Sequence, residues 1–252
     1  MKQKIFMDRN KRFENKVCII TGGSSGIGKA TAMQMVREGG KVAILNRKED
    51  EGKVAVAEIT KDGGEAIFIK ADTGIVSDLE AAVKIVIDKW QKIDVLVNNA
   101  AMMTYKPIAE ISVEEWDQVM AVNLRGTFIL CKLCLPFMQK GAIVNVSSVH
   151  AHETTPNVIP YASSKGGMEA FSRGLSREYD ASKVRVNCVE PGAVDTPMLR
   201  NNPNVKSGVE KVEGAIGKPE EIAAAICFLA SDEASFINGT VVVADGGRLQ
   251  IL

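Results

Sequence analysis

Val17-Cys18-Ile19-Ile20-Thr21-Gly22-Gly23-Ser24-Ser25-Gly26-Ile27-Gly28 is the stretch that sets the fold. Its first four residues are apolar and mostly β-branched, which reads as a strand buried on both faces. A glycine-rich turn follows, then a helix-like stretch from Lys29 to about Glu38. Strand, glycine turn and helix in that order give the loop its meaning. Glycine permits the tight turn and lets the backbone approach a pyrophosphate. The helix N-terminus offers that group free N–H donors and the positive end of its dipole. The spacing is Gly-x-x-x-Gly-x-Gly rather than the commoner Gly-x-Gly-x-x-Gly.

The pattern continues outward with no linker. Strands are expected at about 16–21, 41–46, 66–70, 93–98, 142–147, 184–189 and 240–244. Helices fall between them, near 26–38, 50–62, 77–91, 112–138, 160–180 and 219–230. Such alternation implies an α/β protein with a parallel sheet covered on both faces. The expected architecture is a Rossmann-like, doubly wound, seven-stranded sheet in one domain over 16–252. Residues 1–15 precede it as a short polar extension. Ligands of such sheets bind beyond the C-terminal strand ends, at the switch point. Gly22, Asn99, Ser148 and Pro191 all fall at such ends, after the first, fourth, fifth and sixth strands. Pro136 should bend or end the long helix that contains it.

Composition narrows the function classes. Thirty-one basic and thirty-one acidic residues cancel, with no basic block, which argues against nucleic acid as a partner. No uninterrupted apolar run approaches the ~18 residues needed to span a bilayer, so no membrane association is expected. Residues 1–15 carry Lys2, Lys4, Arg9, Lys11 and Arg12 without an apolar core, unlike a secretory signal. The expected location is cytoplasmic, with the five cysteines reduced. Cys131 and Cys134 lie inside an apolar helical run with no second pair, so they read as small buried residues.

Tyr161 and Lys165 stand four residues apart, one helical turn, so both project from one face. A neighbouring ammonium favours the phenolate and should draw the tyrosine pKa from about 10 toward neutral. A phenol so poised can exchange a proton with an alcohol or carbonyl. Ser148, thirteen residues earlier, supplies a hydroxyl for the same oxygen. A lone Tyr-x-x-x-Lys pair is weak evidence; its weight comes from the glycine turn on the same chain.

These residues together resemble the short-chain dehydrogenase/reductase family over nearly the whole chain, from Lys16 to Gly247. The landmarks stand in the family's order: Thr21-Gly22-x-x-x-Gly26-x-Gly28, Asp72, Asn98-Asn99-Ala100, Asn123, Ser148, Tyr161 with Lys165, and Pro191-Gly192. One departs from the pattern, with Ala101 where the family has glycine. The resemblance implies hydride exchange between a nicotinamide cofactor and a carbonyl or secondary-alcohol carbon. Tyr161 would be the acid/base, and Ser148 would hold the substrate oxygen. Lys165 would tune the phenol and bond the nicotinamide ribose. Asn123 would help hold a proton-relaying water. Cofactor contacts are expected from Gly22, Ser24, Ser25, Gly26, Ile27, Gly28, Asp72, Thr73, Asn99, Ala100, Tyr161, Lys165, Pro191 and Gly192. Asp72 can accept from the adenine amino group, and Val194 and Thr196 should meet the carboxamide.

Lys41-Val42-Ala43-Ile44-Leu45 ends at Asn46-Arg47-Lys48. An acidic residue there would bond the ribose hydroxyls and repel a 2′-phosphate. Asn46 carries no charge, and Arg47 can pair with a phosphate. NADP(H) is therefore favoured and NAD(H) remains possible, since Ser24 and Ser25 stand where NADP(H)-preferring relatives often carry a basic residue. In the family, the segment at about 196–218 is the substrate lid, and a homotetramer is the usual assembly. The polar lid, His150, His152 and Glu153 favour a small polar substrate such as a sugar or polyol, while Met102 and Met103 point to an apolar pocket. Two histidines cannot close a zinc site, so no metal is expected; substrate contact or a solvated loop stays open for them. Two other readings are weighed: a nucleotide-sugar epimerase, which lacks its loop spacing and longer C-terminal domain here, and a non-catalytic cofactor-binding protein on the same fold.

Overall fold

The computed structural model describes residues 11–61, 63–212 and 214–250. Its centre is a seven-stranded sheet of β1 (Val17–Thr21), β2 (Lys41–Asn46), β3 (Glu65–Lys70), β4 (Val95–Asn98), β5 (Gly141–Val146), β6 (Val184–Pro191) and β7 (Val241–Ala244). The strand order is β3-β2-β1-β4-β5-β6-β7, and every pairing is parallel. The chain switches direction between β1 and β4, which leaves a crevice at their C-terminal ends. β1 and β4 are buried along their full length, as strands covered on both faces must be.

Two apolar layers flank the sheet. On one face, α1 (Gly26–Arg37), α2 (Glu49–Ile59) and α9 (Pro219–Ala230) bury Met35, Ile59 and Ile226 against Ile20, Ile44 and Val97. On the other, α3 (Val76–Trp90), α5 (Gly126–Cys134) and α6 (Ile159–Glu178) bury Leu79, Leu130 and Leu175 against Ile19, Leu96 and Ile143.

The helix expected over 112–138 is four consecutive segments. A capping box between Ser112 and Glu115 starts α4 (Val113–Met120). The run then widens into a π turn over Ala121–Arg125, where the Gly126 amide donates to the Ala121 carbonyl five residues back. It resumes as α5 and tightens to a 3-10 turn at Leu135–Phe137, where Pro136 ends it. Contrary to the expectation from apolar runs, Val113–Phe137 is, by length and composition alone, long and apolar enough to cross a bilayer. One face of it is buried in the structure, through Val119, Asn123, Thr127, Leu130, Cys131 and Cys134. Burial raises the Cys131 thiol to about 12 and holds Cys134 well above its ordinary value, so neither is a ready thiolate.

The expected polar extension ends in a packed turn. Phe13 is fully buried in the first layer, and Arg12 makes a bidentate pair with Glu38 at 2.6 and 2.7 Å. Residues 1–10, in which Lys2, Lys4 and Arg9 fall, lie outside the described residues, as does Asp62 at the expected end of the second helix. The segment at 196–218 carries two short helices, α7 (Pro197–Arg200) and α8 (Pro203–Ser207). A bridge between Val194 and Gly217 closes its base. Asn204 ties its far side to the Pro156 carbonyl at 3.2 Å.

Candidate active site

The crevice at the strand ends opens into a cleft of about 310 Å³. At one end lies the glycine turn. Gly22 and Gly26 have φ of +65° and +51°, which disfavour any side chain. A Cβ on Gly28 would lie 2.4 Å from the Gly22 carbonyl oxygen, so only glycine lets α1 start this close to β1. Asn99 braces the turn, donating to the Thr21 carbonyl at 2.9 Å. Thr21 Oγ1 accepts from the Asn99 and Ala100 amides at 3.0 and 2.9 Å. No side chain caps the first turn of α1, and that turn holds no acidic residue. Its amides therefore present an uncapped donor set at the cleft, a cradle that fits a dinucleotide pyrophosphate.

Gly22, Ser25, Gly26, Ile27, Asn46, Arg47, Asp72, Thr73, Asn99, Ala100, Pro191, Gly192, Val194 and Thr196 all line this cleft. Ser24 and Gly28 do not. Ser24 instead accepts a hydrogen bond from the Asn46 side chain, and Gly28 serves helix–strand packing. Asp72 Oδ1 accepts from the Gly74 amide at 2.8 Å, and its Oδ2 lies 3.6 Å from Arg47 Nη1. Thr196 caps α7 at 3.4 Å, and a Cβ on Gly26 would meet its Cγ2 at 3.0 Å, so the base of the 196–218 segment sits directly over the glycine turn.

Ser148, Tyr161 and Lys165 meet in the middle of the cleft, all buried. Lys165 Nζ lies 5.5 Å from the centre of the Tyr161 ring and donates to the Val146 carbonyl at 2.6 Å. The expected pull of the phenol toward neutrality is not what this geometry gives. Burial pushes Tyr161 up to about 12, against the opposing hydrogen bond with Ser148. The same burial pushes Lys165 down to about 8. Desolvation is the largest contribution at both groups and sets the sign of each shift.

Asn123 does not line the cleft. Its Oδ1 accepts from the Met102 amide at 2.8 Å, and its Nδ2 donates to the Met102 carbonyl and Ser164 Oγ, each at 2.9 Å. Both amide hydrogens are used within the protein, so Asn123 braces the loop after β4 against α6.

The far end of the cleft holds residues that sequence reasoning missed: Tyr105, Glu210 and Arg248. Gly246 and Gly247, with φ of +67° and +84°, turn the chain after β7 back over the cleft and carry Arg248 inward. That glycine pair was the available signal. Arg248 Nη2 lies 3.9 Å from Glu210 Oε1, and its buried Nε has no partner among the described residues. His150 lies edge-on to Tyr161 with ring centres 5.7 Å apart, and burial lowers its pKa. His152 turns away from the cleft, toward Glu169 and Glu190.

A family model described as enoyl-(acyl carrier protein) reductase matches residues 22–248. A cyclopentanol dehydrogenase of Comamonas testosteroni is 34% identical over 244 residues, covering 94% of this chain and 98% of that one. A 3-oxoacyl-[acyl-carrier-protein] reductase of Thermotoga maritima is 37% identical, covering 94% and 98%. Among solved structures, levodione reductase superposes with a TM-score of 0.87 at 32% identity, covering 95% of this chain and 100% of its own. A short-chain dehydrogenase of Burkholderia cenocepacia in complex with NADP gives 0.87 at 28% identity, covering 94% and 98%.

Proposed function

The chain belongs to the short-chain dehydrogenase/reductase family of NAD(P)-dependent oxidoreductases, and from that premise we propose that it interconverts a small carbonyl compound and its secondary alcohol with Tyr161 as the acid/base. The observation that carries the reading is the meeting of Tyr161, Ser148 and Lys165 in the cleft that begins at the glycine turn. When bound, the nicotinamide cofactor supplies or takes the hydride at the reacting carbon. Everything else falls to the chain. The Ser148 hydroxyl holds the substrate oxygen. Tyr161 Oη gives it a proton in reduction and takes one in oxidation. Its pKa of about 12 keeps the phenol protonated at neutral pH, so the cofactor-free cleft is set to donate. The Lys165 ammonium stabilises the phenolate left behind. Buried on the α6 face, it has little freedom to leave the ring.

NADP(H) is the preferred cofactor in this reading. Asn46 is neutral at the end of β2, and its side-chain oxygen accepts from the Arg47 amide at 2.8 Å. The Arg47 side chain is more than half exposed at the cleft rim and free to move from Asp72 to a 2′-phosphate. The relative of known structure with NADP supports the same choice. Glu210, Arg248, His150 and Tyr105 at the far end favour a small polar substrate over a long acyl chain, with Met102 and Met103 on the walls. The segment 196–218 acts as the lid.

The test is Tyr161→Phe on a substrate panel followed at the reduced-nicotinamide absorbance. Turnover should fall by about 10²–10⁴-fold while reduced cofactor still binds. Near-normal turnover on any good substrate would remove Tyr161 from its role.

A further inference from the structure

Three acid–base side chains outside the cleft converge behind Ser147 and Ser148. His152 comes from the loop after β5, Glu169 from α6, and Glu190 from the end of β6. His152 Nε2 lies 3.2 Å from Glu190 Oε2 and 3.4 Å from Glu169 Oε2. One ligand atom from each of the three lies within 4.8 Å of the other two. The glutamate side chains are 4% and 0% exposed, whereas His152 is about half exposed and opens the cluster to solvent. Apart from the His152 ring nitrogen, no described residue donates a hydrogen bond to either oxygen of Glu190. A buried carboxylate so short of donors is costly unless a proton or a cation joins it. Arg173 is the other basic group at hand. It is exposed, and its Nη1 is 3.8 Å from Glu169 Oε2.

We propose that His152, Glu169 and Glu190 bind a divalent transition-metal ion of the zinc or manganese kind. The donor set, one imidazole and two carboxylates, suits such ions. A tetrahedral ion with ligands at about 2.0–2.1 Å needs ligand atoms about 3.3–3.4 Å apart. The two histidine–glutamate separations, 3.2 and 3.4 Å, already meet that. The carboxylates need only draw together to complete three corners, and the exposed side leaves the fourth for water. Ser147 Oγ donates to Glu169 Oε1 at 2.7 Å, fixing that carboxylate with its other oxygen turned into the cluster, as a supporting residue does around a metal. The two histidines of the sequence could not make a site; the fold adds two glutamates distant in sequence from His152. Occupied, the site ties the segment from Ser148 to His152 onto α6 and β6.

The experiment uses the full chain without a histidine tag, stripped with a chelator and titrated calorimetrically with Zn²⁺ and then Mn²⁺. One ion per chain is expected, with affinity on the order of micromolar or tighter. His152→Ala and Glu190→Gln should abolish saturable binding, and Ser147→Ala should weaken it by about 10–100-fold. Thermal melts with added Zn²⁺ should rise for the wild type and not for His152→Ala. His152 is exposed enough that its loss leaves the core intact, so this variant carries the test if Glu190→Gln does not fold. Absence of saturable binding to the wild type overturns the proposal, leaving a proton on Glu190 as the group that joins it. Binding kept in His152→Ala, or lost only in Cys131→Ser, overturns it equally, because the ion then lies elsewhere.

Discussion

Replacing Lys165 by methionine should abolish turnover and yet stabilise the protein at neutral pH, with the gain reversing in alkali. Lys165 is 1% exposed, and burial lowers its ammonium from 10.5 to about 8. Each tenfold loss of proton affinity costs about 1.4 kcal/mol, so the charged lysine costs the folded state about 3 kcal/mol below pH 8. Methionine keeps the length and removes that cost, but it forfeits the hydrogen bond to the Val146 carbonyl at 2.6 Å. The folded pKa already includes that bond in its charged form, so methionine forfeits in addition only the neutral amine's bond, about 0.5–1.5 kcal/mol. The net gain at neutral pH is therefore about 2 kcal/mol. The unfolded lysine holds its proton up to 10.5, whereas the folded one gives it up above about 8. Between those values the unfolded chain binds more protons, so wild-type stability rises with pH by about 3 kcal/mol from this residue alone. Above pH 10.5 the lysine is neutral in both states and the methionine variant is left the weaker by a lost hydrogen bond. The assay is urea unfolding of both proteins from neutral pH to about 10.5, at one fixed protein concentration. The difference between the two curves cancels every other titrating group. A difference that does not change with pH, or that moves in favour of the variant as pH rises, would refute the assignment of Lys165 as a destabilised buried cation.

Cofactor choice is tested by kcat/KM for NADP(H) and NAD(H) in the parent and in an Asn46→Asp, Arg47→Ala double variant; the parent should prefer NADP(H) and the variant should reverse or erase that preference, and a parent already favouring NAD(H) would sink the reading. Assembly is tested by light scattering. Phe236 is fully exposed, Val243 on β7 and Phe128 on α5 are substantially so, and Phe128 stacks edge-on with Phe171 at 6.3 Å along one apolar ridge. A homotetramer, or at least a dimer, is expected to cover them, and a monomeric mass at working concentration would overturn this.

The sheet was legible because its strands obey a local rule. Runs such as Val17–Ile20 are apolar and β-branched, and parallel strands buried on both faces must be so. Because ligands collect at strand ends, Gly22, Asn99, Ser148 and Pro191 located the cleft as soon as the strands were placed. Expected boundaries slipped where pairing ends before the apolar run does: Ile93 is buried, but its amide donates to Phe137 instead of a neighbouring strand. What stayed hidden depends on tertiary burial. Nothing in Tyr161-x-x-x-Lys165 tells whether solvent screens the pair, so the sign of the phenol's shift could not be read from spacing. Arg248 and Glu210 enter the cleft through turns whose direction the sequence does not encode locally. Ala121-Val122-Asn123-Leu124-Arg125 has the composition of an ordinary helix, and its π turn coincides with the contacts Asn123 makes with Met102 and Ser164.

That π turn amounts to one surplus residue held inside an otherwise regular helix. Val119 before it and Leu130, Cys131 and Cys134 after it are all buried, so each flank keeps a face turned inward across the bulge. Removing a single residue at Leu124 would let the hydrogen-bond ladder close without turning either flank out of the core. What would go is the reach of Asn123 to the loop after β4 and to α6. The length of this helix is thus set by the site and not by the core, and one codon separates a well-folded scaffold from one whose active-site loop has lost its brace.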